Sequence, residues 1–444
     1  MRTAPVLIAV CFFMMACKKA DTGPVDPDPI VPLPKNVRIY PSSTTQQFET
    51  SIATHPSNPG VVLVVACTQD TPPPFCRTGW YYSNNGAFNW SGGNNLPTHS
   101  DLGIIMADPI ACIDLDGNLF VSGFYGSDVF VARSATGGAG WTQTTVATTS
   151  GREKPHMTID RNSNSPYKNN VYAAYTDLNL IPSSVMFSRS TDRGQTFSGP
   201  VSISGTIGAT AAVGVNLSAG PDSALYATFS GSDSPTSSFI YLGFNRSRNG
   251  GVSWDTAKSI LQVNYRGGLS KGVNTITFFN FPSMDVDRST GPRRGWAYIV
   301  YAEQNPTTPD IFLIRSTDRG SSWSNPIKVN QDNSGNDQWQ PWMSVDPSTG
   351  SLFVVYYDSR KFTANDSAQV YVSASTDGGS TFSDILVSDA SFLPRKLTVS
   401  PGTRFFAYMG SYIGISALNG VVWPCWMDNR TGIHQVYTSR ITFP

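Results

Sequence analysis

The chain has 444 residues, which at about 150 residues per domain sets a starting expectation of roughly three domains. Only 14% of the residues are charged, against roughly 25% in an average soluble protein, while glycine (39), proline (31) and aromatic residues (12%) are plentiful, a composition of turns and strands. The 31 basic and 31 acidic residues cancel, which argues against a nucleic-acid partner, and the long apolar run is confined to the extreme N-terminus, which excludes an integral multi-span membrane protein.

Arg2 precedes the apolar stretch Ala4 to Ala16, too short to span ~30 Å of hydrocarbon and laid out as a secretory signal. It ends Met14-Met15-Ala16-Cys17, which resembles a bacterial lipobox, with Cys17 as the lipidated first residue of the mature chain. Residues 17–35, rich in proline and aspartate, read as a disordered tether between that anchor and a body at 36–444. Lys18 and Lys19 after the cysteine favour, by resemblance to lipoprotein sorting rules, an outer-membrane lipoprotein, periplasmic or facing the cell surface. Of the cysteines beyond Cys17, Cys67 and Cys76 flank Pro72-Pro73-Pro74 and are the favoured disulfide pair in an oxidising compartment.

Along the body, Ser190-Thr-Asp192-Arg-Gly194-Gln-Thr-Phe197 recurs at Ser316–Trp323 and Ser375–Phe382, with looser copies at Ser83–Trp90, Ser134–Trp141 and Ser247–Trp254. The strand leading into each copy is matched once more by Val436-Tyr-Thr-Ser439, so the seven serines lie about 59 residues apart on average. A second repeat reads as first strands: Pro109–Asp114, Pro155–Asp160, Pro282–Asp287 and Pro341–Asp346, each followed by a turn and an aromatic-rich second strand. These patterns predict one all-β domain, a seven-bladed β-propeller, with six blades as the alternative. The last repeat stops after its third strand, so Asn36-Val-Arg-Ile-Tyr40 is expected to supply the fourth and close the ring.

In such a ring the residues entering each first strand surround the central axis on the face opposite the repeat turns. That set is Glu49, Asp108, Lys154, Asn280, Asp337, Gln338, Gln340 and Tyr408 to Tyr412, with His156 one step inside. An acid follows each second strand: Asp70, Asp128, Asp177, Asp233, Glu303, Asp358 and Asp428. One acid per blade reads first as a strand cap or an inter-blade pair. Asp358-Ser-Arg360 and Asp428-Asn-Arg430 put an Asp and an Arg on one side of an extended segment, able to pair with each other or to clamp a carboxylate. His156 could act as a general base or pack, and no spacing among the four histidines or the cysteines suggests a metal.

The Ser-x-Asp-x-Gly-x-x-aromatic repeats resemble the Asp box (BNR repeat) of sialidase-like β-propellers, over about four fifths of the chain from Ser83 to the end. Family enzymes grip a sialic-acid carboxylate with three arginines and use a Tyr–Glu pair with an Asp acid/base. The resemblance therefore implies Asp108 or Asp70 as acid/base, Tyr412 as nucleophile or orienter, and Arg38, in Val37-Arg38-Ile39-Tyr40-Pro41, as a counterpart of the first arginine. Lys154, His156, Asp177, Glu303, Gln340, Asp358, Arg360, Asp428 and Arg430 complete the expected sugar-binding set. The implied activity is a sialidase-like glycosidase acting as a monomer on an extracellular glycan or polysaccharide, without cofactor or metal. A non-catalytic glycan- or protein-binding propeller and a polysaccharide lyase are the alternatives.

Overall fold

The computed structural model describes residues 35–40, 45–69, 76–99, 106–207, 210–234, 239–264, 268–271, 274–277, 281–304, 308–395 and 409–443. They form seven antiparallel sheets in sequence order, a seven-bladed β-propeller. The innermost strands are Gln46–His55, Met106–Ile113, Arg152–Ile159, Ala211–Ala219, Ser283–Val286, Gln338–Val345 and Gly414–Leu418, for blades 1 to 7. Blade 7 takes its fourth strand from the start of the chain: Asn36–Arg38 pairs antiparallel with Gln435–Ser439, with Val37 opposite Thr438. A hairpin, Gly268–Lys271 with Asn274–Thr277, is added between blades 4 and 5. Its Lys271 is buried and bonds Asp337 at 2.7 Å, so that aspartate is occupied.

Second strands read as apolar and aromatic runs because both their faces are covered. Tyr172, Tyr226, Tyr298 and Tyr356 are all buried between neighbouring blades. Trp141, Trp254 and Trp323, which end three of the repeat turns, meet Trp80, Phe187 and Phe244 of the preceding blade edge to face, with centroids 4.9 to 5.4 Å apart. Each turn is held locally. The amide four residues on (Ala87, Gly138, Gly194, Gly251, Gly320, Gly379) donates to the hydroxyl of Ser83, Ser134, Ser190, Ser247, Ser316 or Ser375. Asp192, Asp318 and Asp377 each accept two backbone amides as well. Although desolvation pushes the other way, hydrogen bonds from hydroxyls and amides bring these three carboxyls down to about 2.

The expected Cys67–Cys76 disulfide is not formed; both are free. In the ladder Cys67 faces Thr78 while Cys76 faces Gln69, two positions out of step. The Cys67 thiol instead donates to Glu49 Oε2 at 3.2 Å.

Candidate functional site

The inner strands carry the local feature that builds the site. In five blades the pairing with the second strand skips two residues of the inner strand against one of its partner: between Phe48 and Ser51, Ala107 and Ile110, Glu153 and His156, Val213 and Asn216, and Trp339 and Trp342. The first residue of each skipped pair is left-handed: Glu49 (φ 51°), Asp108 (56°), Lys154 (45°), Gly214 (70°) and Gln340 (51°); Gly410 (97°) adopts the same conformation in blade 7. A non-glycine residue costs about 1–2 kcal/mol there, so four of them at equivalent bulges mark strain kept for a purpose. Three precede a proline in the pattern Asp-Pro, Lys-Pro, Gln-Pro, a signal carried by the amino-acid sequence itself.

These bulges bring charged side chains together beside the axis, on the face opposite the repeat turns. Glu49, Asp108 and Lys154 are 1%, 5% and 1% exposed. Glu49 accepts Ser411 Oγ at 3.0 Å and the Cys67 thiol; Asp108 Oδ2 accepts the Lys154 amide at 3.1 Å. Burial first, then the charges of Glu49 and Glu153, pushes the Asp108 carboxyl well above the usual carboxylate range. Glu153, not singled out from sequence, is raised to about 7 by burial and by Glu49. Lys154 is lowered to about 8 by burial, although Asp108, Glu49 and Glu153 favour its charge. Among the described residues its ammonium makes no hydrogen bond; it lies 3.4 Å from the Tyr412 ring centroid, 5.4 Å from Trp342 and 5.7 Å from Phe281. Tyr412 donates its hydroxyl to the Pro109 carbonyl at 3.3 Å, and Gln340 Nε2 donates to the Gly410 carbonyl, leaving Gln340 Oε1 unpartnered among the described residues.

The remaining predicted residues are placed differently. His156 is buried; its Nδ1 accepts the Leu217 amide at 3.1 Å, so Nε2 carries the hydrogen, and burial holds the ring at about 3, hence neutral. It stitches blade 3 to blade 4, as Ser283 stitches blade 5 to Met343 of blade 6. Asp177 caps its own strand end, accepting Thr149 Oγ1 and the Asn179 amide, and Glu303 accepts the Asn264 amide. Arg360 is held by Asp358 and Asp384, both at 2.7 Å, and lies 4.1 Å from the Tyr371 ring centroid. Arg430 is held the same way by Asp428 and Asp389 over Tyr437. Both pairs are the structural alternative of the two readings: Arg360 is closed within blade 6, and Arg430 joins blade 7 to Asp389 in the segment after the outer strand of blade 6. Arg38 lies in the outermost strand of blade 7, opposite Tyr437. Asp70, Cys17, Asn280 and Tyr408 lie outside the described residues. No group of three or more His, Cys, Asp or Glu suited to a metal ion occurs among the described residues.

A cavity of 410 Å³ occupies the axis. It runs from His156 and Trp342 down the second half of the inner strands to the turns that follow them, so it opens on the face that carries the repeat turns. Lys154 and Tyr412 lie beyond its inner end and do not line it.

Comparison with known proteins places the chain as follows. No family model matches. A sialidase of Bacteroides fragilis is 29% identical over 105 residues, which is 21% of this chain; the chain spans about a fifth (19%) of that protein. An α-L-arabinofuranosidase of Fusarium graminearum, solved in complex with arabinobiose, is 16% identical and covers 77% of this chain and 97% of its own, with a TM-score of 0.49. A protein of unknown function from Dyadobacter fermentans aligns over 93% of this chain and 99% of its own at 13% identity and a TM-score of 0.53, a likeness of fold.

Proposed function

We propose that the chain is a glycan-acting propeller and that its chemistry is glycoside hydrolysis at the ring of left-handed residues opposite the repeat turns. The observation that carries this is the convergence of Glu49, Asp108 and Lys154 at equivalent bulges with Glu153 beside them, the Asp108 carboxyl raised by burial and Lys154 kept free of hydrogen bonds among the described residues. Hydrolysis of a glycosidic bond needs an acid to protonate the leaving oxygen and a second carboxylate to act on the anomeric carbon or on a water. Asp108 takes the first part. Glu49, oriented by Ser411 and Cys67, takes the second. Tyr412, with its hydroxyl engaged by Pro109 and its ring under Lys154, orients the lysine rather than attacking. The stretch shared with the Bacteroides sialidase supports the glycosidase class. The substrate is inferred not to be a sialoside held by a three-arginine clamp, because Arg360 and Arg430 are taken up in their own blades and Arg38 sits on the outer strand.

The test is an activity screen of the whole chain on neutral glycans, uronate polysaccharides and sialosides, beside Asp108→Asn and Tyr412→Phe. Turnover that falls by about 10²–10⁴ in Asp108→Asn, with folding retained, is the expected result. Unsaturated uronate products would assign a lyase instead. Glycan binding without turnover of any substrate would sink the hydrolase reading and leave a binding module.

A further inference from the structure

The axial cavity and the turns at its mouth hold a cluster of side chains that the proposed hydrolysis does not use. Blades 3 and 5 end their inner strands on the same pair, Asp160-Arg161 and Asp287-Arg288, where blade 6 has Asp346-Pro347. The aspartates turn back to hold their own loops: Asp160 accepts the Asn162 amide at 3.0 Å and Asp287 the Ser289 amide at 2.8 Å. The arginines are left to face the cavity, and Arg294, six residues past Arg288, joins them. Arg288 is fixed by a bidentate pair with Asp285 at 2.7 and 3.1 Å. Among the described residues, Arg161 and Arg294 have no carboxylate. Arg161 reaches only the Thr54 carbonyl, at 3.5 Å, and Arg294 reaches only the carbonyls of Arg288, Ser289 and Pro221.

The lining thus carries three arginines and one aspartate, with His156 neutral at the inner end, a net charge of +2 within 410 Å³. Burial and the neighbouring Arg288 both disfavour the charge on Arg161, which is the condition an arriving anion relieves. Hydroxyls and amides of Thr158, Asn216, Ser218 and Ser344 line the walls, and Trp342 offers a ring at the inner end. The volume falls in the range of small-molecule sites.

We propose that this cavity is a second ligand site that binds a small molecule bearing an oxyanion, a carboxylate or a sulfate, between Arg161 and Arg294 with Arg288 as a rigid back wall. Guanidinium forks match such groups in geometry as well as charge, and the polar walls suit a hydroxylated body. The site lies at the opposite end of the axis from Asp108, beyond Trp342, so occupancy and hydrolysis are separable.

The experiment titrates the whole chain calorimetrically with glucuronate, inorganic sulfate and glucose at constant ionic strength, then repeats this on Arg161→Gln, Arg294→Gln, the exposed-mouth variant Thr290→Trp, and Asp108→Asn. Saturable glucuronate binding is expected, weakened about tenfold or more in each arginine variant, blocked in Thr290→Trp and unchanged in Asp108→Asn. Sulfate binding as tight as glucuronate would support the oxyanion site and identify a free anion as its occupant. No saturable binding of glucuronate or sulfate to the unaltered protein, which needs no variant to fold, would overturn the proposal. Equal binding of glucose, or glucuronate binding unaffected by both arginine changes, would overturn it too.

Discussion

Glu153 offers a direct reading of the electrostatics at the proposed active centre. In the unfolded chain its carboxyl ionises near 4.5; in the folded protein burial and Glu49 hold it at about 7. Between those values the folded state keeps a proton that the unfolded state has released, so stability falls as pH rises from about 4.5 to 7 and the full penalty is present above 7. The gap corresponds to about 3 kcal/mol, and about 2–3 kcal/mol once the partial exposure of the side chain is allowed for. Glu153→Gln keeps the shape and is neutral at every pH. It should therefore match the unaltered protein at pH 4 and exceed it by about 2–3 kcal/mol at pH 8. With an unfolding entropy of roughly 0.9 kcal/mol per kelvin for a domain of this size, that is a rise of about 3 °C in Tm. Chemical denaturation at the two pH values measures it. An advantage that is equal at both, or a loss at pH 8, would refute the account of a carboxyl held protonated by its neighbours.

Three further outcomes are expected, two from the structure and one from the sequence. Arg360→Met strands the buried Asp358 and should destabilise the fold by about 3–5 kcal/mol in chemical denaturation; a loss under about 1 kcal/mol would show that the pair is not structural. Asp192, Asp318 and Asp377, depressed to about 2, add stability that is present above the ordinary value near 3.8 and is lost as pH falls toward 2. Changing all three to Asn should flatten the acid limb of a Tm-against-pH curve, and an unchanged limb would count against it. Cys17→Ser should abolish incorporation of radiolabelled palmitate and release the chain from the membrane fraction, whereas retained label would end the lipoprotein expectation.

The blade count was legible because the repeat turns are self-contained. Ser190 and Asp192 bond groups no more than four residues away, so the motif needs no partner from elsewhere and survives in the sequence as a fixed pattern. The ring of bulges was half legible. Asp108, Lys154 and Gln340 were named from the start of each first strand, but Glu153 points into the cluster only because the pairing jumps after it, and register is a property of two strands at once. The arginine mouth was not legible. Arg161 lies more than a hundred residues before Arg288 and Arg294 and meets them only when the ring has closed, although the paired Asp-Arg after two first strands was the available sign. For Arg360 and Arg430 the spacing left two readings open, a structural pair and a ligand clamp. Spacing places an Asp beside an Arg, but it does not reveal that Asp384, in the outer strand of blade 6, and Asp389, in the segment after it, complete the pairs.

The short strand Asn36–Arg38 also has a consequence in time. It is made before every other described strand, yet its partner Gln435–Ser439 follows roughly 400 positions later. Asn36 is further tied to Val387, Asp389 and Arg430 by side-chain bonds, so the start of the chain must wait for material from two late blades. Until then Asn36–Arg38 has no partner strand, and a nascent chain presents a pairable edge. Ring closure is thus a checkpoint on completeness. A product truncated even a few residues before Gln435 loses the means to fasten its beginning, and is expected to be cleared or to aggregate rather than to persist as six good blades.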